Sequence, residues 1–129
     1  MPEFVVEKIQ AALNDDSKPV RGSHIHILGT AYKRDIDDVR EPPALNIILL
    51  LRRLGAKVTF SDPHVNSIRI DRTTLESIEM PSAVEAADCV VIVTGHTSVD
   101  YASVVEGSRL IVDTRNALKG FRSSKIVRL

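Results

Sequence analysis

The sequence has a single cysteine, Cys89, so it can form no internal disulfide and no cysteine-built zinc site. That pattern suits a reducing compartment. Tryptophan is absent and aromatic residues make up only 4% of the chain, too few for a stacking surface that grips single-stranded nucleic acid. Neither charge sign is in excess: 17 Lys+Arg face 17 Asp+Glu, so no overall basic field draws the chain to nucleic acid or to an anionic membrane. No apolar run approaches the roughly 18–20 residues that a membrane span needs, and no signal-peptide pattern opens the chain. Glycine is scarce where it would matter most. After the first apolar strand pattern only Gly29 is present, followed by Thr30, Ala31, Tyr32 and Lys33. A dinucleotide-binding turn needs G-x-G-x-x-G so that the backbone can reach a pyrophosphate, and this turn lacks it.

What remains is a chain of 129 residues with 43% hydrophobic and 26% charged residues, the make-up of one soluble globular domain with a real core. Spacing of three and four between apolar residues predicts a helix over Pro2 to Leu13. Asn14 to Pro19 reads as a turn or linker. His24 to Leu28 is a strand, with His24 and His26 on one face and Ile25 and Ile27 on the other. Pro43 opens a nearly all-apolar helix, Ala44 to Leu54, which Gly55 stops. Lys57 to Ser61 is the next strand, closed by Asp62-Pro63. Asn66 to Met80 is poorly marked, with a short edge strand at Thr73 to Ile78. A short helix over Ser82 to Ala87 precedes Cys89 to Val93, a continuous apolar, β-branched run of the kind buried on both faces of a sheet. A short helix near Asp100 to Glu106, a buried strand at Leu110 to Val112 and a final strand at Lys125 to Leu129 complete the chain. The alternation predicts an α/β fold: a Rossmann-like, doubly wound, mainly parallel sheet in a single domain.

In such sheets ligands lie at the carboxyl ends of the strands. There the chain places a loop of thirteen residues, Thr30 to Pro42, holding Lys33, Arg34 and Arg40 against Asp35, Asp37, Asp38 and Glu41. Loops this long inside a compact domain are usually functional or disordered, and the well-marked elements on either side favour function. Lys33 can pair with a phosphate as a point charge, and Tyr32 can offer a ring face. A solvated loop with internal ion pairs accounts for both residues equally well. Arg40 reads first as a tie within the acidic loop and second as a phosphate contact. Arg115, after the last strong strand, has two equal readings: bidentate phosphate recognition or a clamp to Asp113. His24 and His26 lack a third ligand at supporting spacing, so no metal site is assigned. Cys89 reads as a small core residue, His96 as a turn residue, and Asp62 as a turn residue with a possible second role toward a ribose.

The stretch G-T-A-Y-K-R-D-I-D-D-V-R-E-P-P-A (Gly29–Ala44) resembles the signature of the C-terminal UDP-binding domain of the UDP-glucose/GDP-mannose dehydrogenase family. The resemblance continues through L-R-R-L-G-A-K-V-T-F-S-D-P-H (Leu51–His64), A-A-D-C-V-V-I-V-T-G-H (Ala86–His96) and I-V-D-T-R-N (Ile111–Asn116). Within the family it is most similar to the UDP-N-acetylhexosamine 6-dehydrogenases. The resemblance implies an NAD-dependent enzyme that oxidises the C6 alcohol of a UDP-sugar to a carboxylate. It implies that Tyr32, Lys33 and Arg115 bind substrate, that Arg40 reaches the cofactor side of the cleft, and that NAD is held mainly by an N-terminal domain outside this chain.

No catalytic residue falls here: Cys89 does not match the family's catalytic cysteine, and Pro42 stands where the family usually has Ser. Residues 1–18 resemble the end of a central helical dimerisation region, and residues 19–129 the UDP-binding domain. The expectation is therefore the C-terminal portion of a longer, cytoplasmic, homodimeric enzyme, inactive alone, whose partners are the UDP-sugar and the N-terminal NAD domain, with no nucleic acid and no membrane. The alternative is a stand-alone α/β interaction or regulatory module, which would use the apolar face of the first helix (Phe4, Val5, Ile9) as a partner surface.

Overall fold

The structure is a computed structural model that describes residues 2–29, 43–63, 65–70, 72–80, 82–95 and 99–128. The elements run α1 (Pro2–Asp15), β1 (His24–Leu28), α2 (Pro43–Arg53), β2 (Lys57–Ser61), β3 (Ser67–Ile70), β4 (Thr73–Glu76), α3 (Ser82–Ala86), β5 (Cys89–Ile92), α4 (Tyr101–Gly107), β6 (Ile111–Asp113) and β7 (Ile126–Arg128). Five strands form one parallel sheet in the order β2-β1-β5-β6-β7. Numbered within the sheet alone, this is the 2-1-3-4-5 order of a doubly wound fold. The expected mainly parallel α/β sheet is thus present.

Residue alternation builds the two faces. Cys89 and Val91 point into one apolar layer with Ile25, Ile27 and Val112, under α1 and α2. Val90 and Ile92 point into the other with Leu28, Ile111 and Ile126, which α3 and α4 cover through Val84 and Val104. All four β5 residues are buried, as a strand covered on both faces must be. Burial pushes the Cys89 thiol up to about 12, with the Asp88 charge adding to it, so Cys89 is the inert core residue expected from its run.

The first helix departs from the alternative reading. Its apolar residues Val5, Val6, Ile9, Ala12 and Leu13 recur at helical spacing and are buried in the layer shared with α2. Val5 and Ile9 are therefore core rather than a partner surface. Phe4 alone of the three is exposed, and the Lys8 ammonium lies 5.4 Å from its ring centre.

Helix α2 buries Ala44, Ile47, Ile48 and Leu51, with Leu45, Leu49 and Leu50 half-buried around them. It ends in a Schellman motif: the Gly55 N–H donates to the Arg52 carbonyl (3.0 Å) and the Ala56 N–H to the Leu51 carbonyl (3.1 Å), with Gly55 at φ 92°.

The poorly marked stretch after β2 is a hairpin rather than a single edge strand. Strands β3 and β4 pair antiparallel with Ile70 opposite Thr73, and Arg72 in the connection takes φ 69°. Ile68 and Ile70 face the core while Ser67 and Arg69 face out, a period of two that four residues express too briefly to stand out. The chain then runs along the outer edge of β2, where the Ile78 N–H donates to the Phe60 carbonyl (2.9 Å). Among the described residues no helix is long and apolar enough to cross a membrane.

Candidate functional site

The chain leaves β1 toward β2 on one side, then returns past β1 to β5 on the other. The order reverses between β1 and β5, and a crevice opens at their carboxyl ends. Backbone bonds hold the rim of that crevice. The Gly29 N–H donates to the Ser61 carbonyl (2.9 Å), the Val93 N–H to the Leu28 carbonyl (2.9 Å) and the Thr114 N–H to the Ile92 carbonyl (3.2 Å). The ends of β2, β1, β5 and β6 are thereby tied in register.

Gly29 is required at the centre of this rim for two reasons. Its φ is 86°, which side chains rarely adopt, and an added Cβ would lie 2.5 Å from the Thr94 carbonyl oxygen. The glycine thus serves a close approach between two strand ends.

Arg115 lies where the sequence placed it, beyond β6. Asp113, buried at 1% exposure, accepts backbone N–H groups of Arg115 (3.1 Å), Ala117 (3.1 Å) and Leu118 (2.9 Å). It clamps the loop through main chain. Asn116 takes the left-handed conformation at φ 58°, which Asn tolerates, to let the loop close on that carboxylate. The exposed Arg115 side chain turns toward β5 and donates from Nε to the Val93 carbonyl (2.9 Å). Its guanidinium is therefore fixed at the carboxyl end of β5, beside the crevice. The threefold use of Asp113 was hidden in the sequence, where it read as a simple ionic partner; an Asp followed closely by Asn is the one available cue. Tyr32, Lys33, Arg40 and His96 lie outside the described residues.

At the other end of the crevice Asp62 follows β2 and is 6% exposed. Its backbone N–H donates to Ser77 Oγ (3.1 Å). A cavity of about 340 Å³ opens beside it, with Asn66, Ser77, Glu79, Ile78 and Val99 among its walls.

The two histidines form a directed hydrogen-bond relay. The Ser61 hydroxyl donates to the Ile78 carbonyl, so its oxygen is left to accept from His26 Nε2–H (2.8 Å). His26 Nδ1 is then the bare nitrogen and accepts from the Thr59 hydroxyl (2.6 Å), which in turn accepts from His24 Nε2 (2.8 Å). Burial first, and the neighbouring His24 charge second, push the His26 imidazole down to about 4. His26 is thus a neutral core histidine. Among the described residues no cluster of three potential metal ligands occurs.

Comparison with known proteins bears on this crevice. The profile of the UDP-glucose/GDP-mannose dehydrogenase family, UDP binding domain, matches residues 26–120. A UDP-N-acetyl-D-mannosamine dehydrogenase of Pyrococcus horikoshii is 35% identical over 124 residues, which cover 92% of this chain and 28% of that protein. The solved structure of UDP-D-ManNAc dehydrogenase from Pyrococcus horikoshii superposes with a TM-score of 0.82 at 30% identity, over 99% of this chain and 30% of the other. That of an NDP-N-acetyl-D-galactosaminuronic acid dehydrogenase from Methanosarcina mazei Go1 gives 0.79 at 28% identity, over 100% of this chain and 28% of the other. The chain therefore spans under a third of the length of these relatives.

Proposed function

Because the chain belongs to the UDP-glucose/GDP-mannose dehydrogenase family, as its UDP-binding domain, we propose that its crevice grips the UDP part of a UDP-sugar and presents the sugar to an oxidising site built elsewhere. The observation that carries this reading is Arg115, a guanidinium tethered by Nε to the Val93 carbonyl at the carboxyl end of β5. A planar, permanently charged fork in a fixed position suits a diphosphate. Lys33 adds a second positive charge to the phosphates, and Tyr32 lines the nucleotide pocket. Binding of this kind serves catalysis by holding the C6 alcohol in place. The chain itself supplies no catalytic group.

The enzyme in which this binding operates is an NAD-dependent UDP-sugar 6-dehydrogenase, cytoplasmic and homodimeric. In it residues 1–18 end the central helical region, residues 19–129 hold the substrate, and Arg40 reaches the cofactor side of the cleft. NAD would supply the hydride acceptor for this oxidation. The turn after Gly29 lacks the G-x-G-x-x-G pattern of a dinucleotide site, which supports this division of labour. Cofactor binding therefore falls mainly to an N-terminal domain.

Calorimetric titration of the 129-residue chain tests the proposal. UDP should bind saturably and NAD should not. Arg115→Ala and Lys33→Ala should each weaken UDP by about tenfold or more, the loss of one charge-assisted contact. Saturable NAD binding with none for UDP would sink the reading.

A further inference from the structure

We propose that Asp113 is a positioning residue for the nucleotide: its buried carboxylate sets the turn after β6 so that the Arg115 guanidinium is held, before any ligand arrives, with its Nη1/Nη2 edge left for a diphosphate. The inference rests on the reading of this chain as a UDP-binding domain and adds to it a residue that touches no ligand.

Two tethers fix Arg115. The first is through main chain. Asp113 ends β6, and its Oδ1 accepts the N–H groups of Arg115 (3.1 Å) and Ala117 (3.1 Å) while Oδ2 accepts that of Leu118 (2.9 Å). The second is through the side chain, from Nε to the Val93 carbonyl beyond β5 (2.9 Å). The turn between them is anchored at both ends. Thr114 donates to the Ile92 carbonyl from its backbone N–H (3.2 Å) and from its hydroxyl (2.6 Å). At the far end the Leu118 side chain is fully buried, and its carbonyl accepts from Arg128 Nη2 of β7 (3.0 Å).

A guanidinium offers its donors as a rigid fork with two bidentate edges, Nε with one Nη, or Nη1 with Nη2. Val93 takes the Nε–H, so the first edge is used. Among the described residues neither Nη1 nor Nη2 has a hydrogen-bond partner. The remaining edge matches two oxygens of a diphosphate. A long side chain on an exposed turn ordinarily loses rotamer freedom when it binds, which weakens binding. Here the fold has already removed that freedom, and Asp113 is the group on which the turn closes.

The role needs a carboxylate. Its three partners are all N–H donors, and both oxygens accept. An asparagine has an NH2 in place of one oxygen. Whichever way its amide turns, that NH2 faces at least one backbone N–H, so the turn loses a bond and gains a donor–donor contact.

UDP titration of four 129-residue chains tests the proposal: wild type, Asp113→Asn, Arg115→Ala and the double variant. Asp113→Asn should weaken UDP about tenfold in the wild-type background and not at all in the Arg115→Ala background. Losses that multiply in the double variant overturn the proposal, because Asp113 would then act independently of Arg115. Wild-type affinity in folded Asp113→Asn overturns it too, while the UDP-binding reading stands. Absence of UDP binding by the wild-type chain removes both. Nitrogen-15 NMR of the wild-type chain decides even if Asp113→Asn does not fold. The Arg115 Nε–H signal, assigned by its loss in Arg115→Ala, should be protected from solvent exchange with and without UDP, and UDP should slow rotation of the Nη groups. An Nε–H that exchanges freely in the unliganded chain overturns the prior positioning of Arg115.

Discussion

At the scale of single residues, function and support trade places with what side-chain type suggests. His26 carries a side chain of the kind that does acid–base chemistry, yet both its nitrogens are committed to Thr59 and Ser61 at 2.6 and 2.8 Å. A proton added at Nδ1 would need the Thr59 hydroxyl to turn away, although that oxygen already accepts from His24. The folded chain therefore resists protonation of His26, whose pKa falls from 6.5 to about 4. The unfolded chain takes up the proton first as pH drops. The contribution to stability is complete above about pH 6.5 and is lost as pH falls toward 4, by about 3 kcal/mol. By NMR, His26 should titrate near pH 4 as the Nε2–H tautomer; a midpoint near 6.5 would show the relay to be absent. The sequence placed both histidines on one strand face but could not supply their partners, because Thr59 and Ser61 come from β2, more than thirty positions away. Arg115 was legible for the opposite reason: its place just after a strand is a local property, and only its tether to Val93 needed the fold.

At the scale of elements, strands and helices with strong periodicity or a clear stop were readable, and short ones were not. Gly55 after a run of leucines announces the end of α2, and the Schellman bonds are there. Strand β3 was missed because S-I-R-I shows only two turns of alternation and its connection carries Asp71-Arg72 rather than a glycine turn. Two glycines with nearly equal φ test how far local conformation alone explains an element's end. At Gly55 (φ 92°) an added Cβ meets the flexible Arg21 side chain at 3.0 Å, so Gly55→Ala should cost about 1 kcal/mol, mainly backbone strain. At Gly29 (φ 86°) it meets Thr94 backbone at 2.5 Å, which cannot yield without parting β1 from β5. Gly29→Ala should cost about 3 kcal/mol or more. Urea denaturation of the two variants measures the difference, and equal losses would mean that the rim at Thr94 gives way easily.

At the scale of the whole molecule, α1 belongs to the same apolar layer as the sheet. Leu13 is fully buried and shares that layer with residues of α2, β1 and β5. Leu13→Ala should therefore cost about 3 kcal/mol, within the range of 2–5 usual for such cavities, in one cooperative transition. An early, separate loss of α1 helicity with the rest unchanged would show that the helix is only docked. The doubly wound plan was visible in the order of apolar runs, since a parallel sheet must bury both faces of its strands. The direction in which the strand order turns back was not, because it depends on contacts between β1 and β5, some sixty residues apart.

A parallel sheet that ends in open backbone invites another chain to add itself there. Here the outer flank of β2 gives up its Phe60 carbonyl to the Ile78 N–H. The opposite flank is a strand of three residues whose last one, Arg128, folds back to donate to the Leu118 and Phe121 carbonyls. The segment that walls the cavity beside Asp62 thus does a second job: by lying along β2 it denies that margin to strand addition, so the connection that shapes a pocket also guards the fold against aggregation.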